Sequence, residues 1–116
     1  MITLLVFIGI RLYQNMNDNL EGLKDITITE VDLSTKADGT YRGTYKAFPI
    51  EVVLEVVIAN HEITEIIIIK HQTGEGEPAE AIIPVIISAQ SLDVDVIAGA
   101  TYSSIVIKLA ILDALN

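Results

Sequence analysis

Apolar residues fall at every second position through residues 50–58 (IEVVLEVVI), with Ile50, Val52, Leu54, Val56 and Ile58 on one side and Glu51 and Glu55 on the other. A period of two marks a half-buried strand. Residues 63–70 (ITEIIIIK) follow across Asn60-His61, a pair suited to a tight hairpin, and their run of isoleucines predicts a strand buried on both faces in its middle. Upstream, Asp38-Gly39 signals a turn, and residues 40–46 (TYRGTYK) read as a short strand interrupted at Gly43. Residues 26–36 alternate as an extended segment, and residues 11–25 read as a helix or frayed linker. The first half is an antiparallel meander.

The pattern changes after residue 72. Residues 73–78 (TGEGEP) form a loop, with Pro78 suited to the first turn of a helix. Residues 79–90 (AEAIIPVIISAQ) have helical spacing, but Pro84 should kink that helix or split it. Residues 92–97 (LDVDVI) alternate as a strand, with Asp93 and Asp95 on one face. A last helix opens at Thr101 or Tyr102 and aligns Ile105, Leu109, Leu112 and Leu115 in one apolar stripe. The order β-β-β-α-β-α predicts an α+β fold: a small, mainly antiparallel sheet with helices packed on one side. An apolar segment and linker, residues 1–25, precedes the domain of residues 26–116.

Composition narrows the function classes. At 116 residues the chain is one domain, and with 51% hydrophobic residues it can build a core without staples. A net charge of −9 opposes nucleic-acid partners, whose phosphates require Lys and Arg, and opposes a basic patch for anionic lipid. The absence of cysteine removes disulfides, thiolate zinc sites and iron–sulfur clusters, and two histidines with scattered carboxylates make no metal site. Residues 2–10 (ITLLVFIGI) are continuously apolar, fewer than half of the ~20 needed to span a bilayer. Three readings fit them: the tail of a membrane anchor, a helix end that packs on the domain or mediates self-association, and an interfacial anchor. The acidic surroundings disfavour the last.

The stretch with most chemistry is Asp95 to Ser104 (DVIAGATYSS). Gly99 and Ala100 let the backbone turn closely, and Thr101, Ser103 and Ser104 then bring three hydroxyls to the free N–H groups of a new helix. Such a helix start suits an anion. The plainer reading is an N-cap, worth ~1 kcal/mol. Gly74-x-Gly76-x-x-Ala79 superficially satisfies a dinucleotide fingerprint, but Glu75 and Glu77 would repel a pyrophosphate and a hairpin, not a βα unit, precedes it. His61 sits in a turn and is solvated. His71, before the glycine loop, either faces water at a strand end or approaches a ligand. Neither histidine is placed by sequence near Thr101 or Ser104, so no nucleophile–base pair is visible. Tyr41, Tyr45, Phe48 and Tyr102 are core residues by default, and the aromatics available to stack on a ring.

Taken together, Asp38-Gly39-Thr40-Tyr41-x-Gly43, His71-x-x-Gly74-x-Gly76-x-x-Ala79-Glu80, Gln90 to Asp95 (QSLDVD) and Gly99-Ala100-Thr101-x-Ser103-Ser104 closely resemble stand-alone FMN-binding domains related to the C subunit of sodium-pumping NADH:quinone oxidoreductase. The resemblance covers about residues 38–116. It implies that Thr101 carries FMN through a phosphoester, that FAD is the donor, and that a separate flavin transferase moves FMN to the hydroxyl and releases AMP. Asp95 then belongs to the motif the transferase recognises. The implied cofactor-binding set is Ala98, Gly99, Ala100, Thr101, Tyr102, Ser103 and Ser104, with Asp95, His71, Gly74 and Gly76. One position departs: the family has Ser or Thr where this chain has Ala98, which removes a hydroxyl and leaves three outcomes open, slower modification, weak non-covalent binding of FMN, or none. The implied role is an electron carrier on the extracytoplasmic face of a membrane, serving membrane redox proteins and not acting as a stand-alone enzyme. The rival is a non-redox binding or structural module in which Thr101 only caps its helix.

Overall fold

The computed structural model describes residues 20–72 and 77–116. The apolar run 2–10 and the glycines at 74 and 76 lie outside the described residues, and with them the expectations placed there. Three antiparallel strands, β1 (Gly39–Ala47), β2 (Ile50–Ala59) and β3 (Glu62–Gln72), form one sheet in the order β1-β2-β3. A 3-10 turn (Glu77–Ala81) leads into α1 (Ile82–Ala89), and α2 (Thr101–Leu115) closes the chain. The architecture is α+β with its helices on one face of the sheet.

In β2 the even-numbered residues 50–58 are all buried and the odd-numbered ones half-buried. The β-branched residues that dominate this strand suit a pleated surface covered on one side. Asn60 and His61 turn the chain into β3 with both φ angles positive, 53° and 63°, as a two-residue hairpin of matching twist requires. Asp38 Oδ1 accepts the Asn60 N–H at 2.9 Å and pins this turn to the start of β1.

Four expectations need correction. Strand β1 is not interrupted at Gly43: its register with β2 runs unbroken from Gly39↔Ile58 to Ala47↔Ile50. Gly43 is there for α2, since a Cβ at this position would stand 2.0 Å from the Ala110 carbonyl oxygen and 2.7 Å from the Ala114 Cβ. Strand β3 is not buried on both faces. Ile63 and Ile66 are buried, but Ile67 and Ile69 lie 37% and 48% exposed, because the helices cover only the other side.

The helix expected over residues 79–90 is divided, but ahead of Pro84 and not at it. Pro84 falls in the first turn of α1, where its missing N–H has no intrahelical partner to lose. Helix α1 ends at Gln90 in the left-handed conformation, with φ 53°. The Gln90 side chain then pairs with the β3 edge like a short strand: Oε1 accepts the Ile63 N–H at 2.7 Å, and Nε2 donates to the Ile63 carbonyl at 2.8 Å.

Residues 92–97, expected as a strand, join no sheet. Their alternation is real, with Leu92 buried, Val94 and Val96 half-buried, and Asp93 and Asp95 exposed. Their backbone groups are met from elsewhere: Ser91 Oγ accepts the Asp93 N–H, Leu92 O the Val94 N–H, and Ser104 Oγ the Ile97 N–H, while Lys108 Nζ donates to the Val94 carbonyl. A segment so satisfied needs no neighbouring strand.

Helix α2 carries more than one apolar stripe. Every residue from Ser103 to Ile111 is buried. Strands β1 and β2 and the 3-10 turn pack against it, and Leu23, Ile82, Ile86 and Leu92 belong to the same buried core, with Ile28 and Val31 partly buried against it. Among the described residues no helix is long and apolar enough to cross a membrane.

Candidate functional site

The direction of α2 decides which sequence features meet. Its last turn, at Leu115, lies beside Ile63 and Gln90, and with Leu112 beside residues 29–36. Its first turn lies at the opposite end: Tyr102 Oη donates to Glu21 Oε1 at 2.7 Å, and Lys24 Nζ stands 5.2 Å from the centre of the Tyr102 ring. The neighbouring Gly22 and Leu23 line a cleft of about 420 Å³ with Ile26, Tyr45 and Phe48. In register, Ala47 pairs with Ile50 and Glu51 with Gln72, so β1 ends, β2 begins and β3 ends here as well. Thr101 and His71 are thus carried to one end of the molecule from distant parts of the chain.

Helix α2 opens without a side-chain cap. Its N-cap is Ala100 (φ −136°, ψ 44°), which has no side-chain oxygen to offer the first N–H groups. The chain reaches it through Ala98-Gly99, with Gly99 at φ +81° in open space, a conformation that glycine adopts without steric cost. Ala98 and Gly99 are exposed, and Thr101 and Tyr102 are half-buried. The macrodipole and the first N–H groups of α2 face this exposed turn.

The hydroxyls divide in their roles. Ser104 is fully buried; its Oγ donates to the Ala100 carbonyl at 2.7 Å and accepts the Ile97 N–H at 3.0 Å. It ties the incoming segment to the helix and has no donor left for a ligand. Ser103 is buried as well. Thr101 keeps part of its surface in solvent, and its hydroxyl holds no bond of the fold among the described residues. Ser104→Ala is expected to destabilise the domain by about 2 kcal/mol, the cost of leaving the Ile97 N–H without its acceptor. A thermal melt checks it, with a fall on the order of 10 °C expected for a domain of this size.

Of the two readings of His71, the water-facing one fails. Opposite the fully buried Val52 on the helix-covered side of the sheet, its side chain is 4% exposed, and its Nδ1 lies 3.1 Å from Glu80 Oε2. His61 stays on the surface, its Nδ1 3.3 Å from the Leu33 carbonyl. Asp95 is exposed, and together with Asp93 it partly offsets the burial that pushes the Lys108 ammonium below the usual lysine range. Hydrogen bonding to Glu21 raises the Tyr102 phenol above its ordinary value. Tyr45 and Phe48 reach the site end, whereas Tyr41 lies away from it, bonded to the Ala37 carbonyl. The roles of Ser104 and Glu80 were invisible in sequence, because each depends on a partner brought in by tertiary structure.

An FMN-binding domain profile matches residues 45–116, the whole stretch from the end of β1 through α2. A flavin-binding module is the class that this fold and this match define. The chain belongs to the FMN-binding domain family. Among curated proteins none matches it.

Proposed function

We propose that this domain carries FMN on Thr101 through a phosphoester and serves as an electron carrier tethered at a membrane. The observation that bears most of the weight is the α2 start: an uncapped helix N-terminus behind an open Ala98-Gly99 turn, with a half-buried threonine whose hydroxyl holds no bond of the fold among the described residues. The residues present fit the group. The helix start suits a phosphate, Lys24 brings a cation to the same turn, and the buried Nε2 of His71 is a polar atom without a partner.

Attachment forms a bond between Thr101 Oγ1 and the flavin phosphate and breaks the pyrophosphate of FAD. AMP leaves, and the hydroxyl proton passes to solvent or to AMP. Asp95, exposed on the stretch leading to Thr101, is available to the transferase that performs this exchange. Bound FMN supplies one- and two-electron transfer, which the side chains of this protein lack. Thr101 fixes its position, and the net charge of −9 steers docking toward basic faces of membrane redox partners.

Coexpression with a flavin transferase, followed by intact mass measurement, tests the reading. A gain of one FMN less one water is expected; an unchanged mass overturns it. Ala98→Ser, which restores a hydroxyl on the exposed turn, is expected to raise the modified fraction. Equal occupancy of parent and variant would show that the missing hydroxyl does not limit the transfer.

A further inference from the structure

The two edges of the sheet are finished differently. At the β1 edge, α2 packs on the strand, Asp113 Oδ2 accepts the Thr44 N–H, and Arg42 and Lys46 add charge. At the β3 edge the Gln90 amide occupies both backbone groups of Ile63, at one end only. Beyond it, among the described residues, the backbone of residues 64–72 pairs with β2 alone and no strand lies outside it. An open edge is a template for another strand, and proteins usually blunt it with charge, proline or a short strand. Here the strand is 11 residues long, and its middle is Ile66-Ile67-Ile68-Ile69, with neither charge nor proline. Ile67 and Ile69 are exposed.

The charges of β3 are polarised along the strand: Glu62 and Glu65 precede the isoleucines and Lys70 follows them. An antiparallel second copy sets acid against base at both ends and isoleucine against isoleucine between them. A parallel copy sets like against like. Lys70 pairs with Glu51 in its own sheet and still keeps much of its side chain in solvent. We propose that two copies of this chain join antiparallel along residues 64–72 into a continuous six-stranded sheet, with Glu65 of each copy beside Lys70 of the other. A two-fold axis makes such a contact self-complementary; main-chain bonds supply its affinity and side chains its specificity. Because β3 ends at the α2 start, the two α2 starts stand at opposite ends of the joined sheet. The contact is separate from any association through residues 2–10, and it does not depend on flavin.

Sedimentation of the full chain across a concentration series tests this. A monomer–dimer equilibrium is expected, and a monomer at every concentration up to about 1 mM overturns the proposal. Ile67→Lys, at an exposed position, should abolish the dimer while leaving the melt unchanged. Glu65→Lys and Lys70→Glu should each weaken the dimer about tenfold, since like charges then meet at two places across the strands. An equimolar mixture of those two variants should recover association, through a heterodimer in which both charge pairs are again opposite in sign. A mixture that associates no more tightly than its components overturns the proposed pairing. A dimer that survives all three substitutions uses another surface, residues 2–10 included, and overturns it as well.

Discussion

Gly43→Val is expected to unfold the domain or to cost at least about 3 kcal/mol, the upper range for overpacking a closed interface. The atoms in the way belong largely to α2's backbone: the Ala110 carbonyl oxygen at 2.0 Å and the Ala114 nitrogen at 2.7 Å from an added Cβ. No rotamer change relieves such a collision, so the helix must lift from the sheet. Lifting it breaks the Thr44 N–H bond to Asp113 Oδ2, 3.0 Å long, and opens the layer that buries Leu54. A domain of ordinary stability has about 5–15 kcal/mol in total, so the loss is a large share. Urea unfolding should show a much lower midpoint. Gly22→Ala, where an added Cβ meets nothing within 4 Å, is the matched control and should leave the midpoint nearly unchanged.

Thr101→Val is expected to abolish covalent flavin while leaving the fold intact, and Thr101→Ser to keep both. Valine matches threonine in shape and lacks only the oxygen. Because that oxygen bonds nothing else among the described residues, its removal should change stability by no more than about 0.5 kcal/mol, as at an uncommitted surface position. The expected result is a parent-like melt with no mass gain. A mass gain that survives in the valine variant places the attachment elsewhere. Ser104→Ala has the opposite signature, a lowered melt, since Ser104 serves the fold directly.

Much of this was legible in the chain. The period of two in residues 50–58 located β2 and its buried face, and Asn60-His61 located the hairpin, because both are local rules that tertiary structure did not override. The hydroxyl-rich start of α2 was equally visible. What failed was non-local. The alternation in residues 92–97 was read correctly as one buried and one wet side, but alternation says nothing about what pairs with the backbone, and Lys108 and Ser104 took the place of a strand. Gly43 looked like an interruption because the helix that needs it lies over sixty residues away in sequence. The water-facing reading of His71 failed because its contact with Glu80, on the 3-10 turn, depends on packing that no local pattern reveals.

The absence of a ladder through residues 92–97 has a consequence for how a modifying enzyme would meet this domain. A strand inside a sheet offers a visitor one face and a rigid backbone. Here Asp95, Ala98 and Gly99 stand at the rim in an irregular path, outside any ladder. A catalyst can grip that rim and reach the hydroxyl beyond it without prising the core apart. Under the proposed attachment, loading can therefore follow folding, with the finished domain as the acceptor.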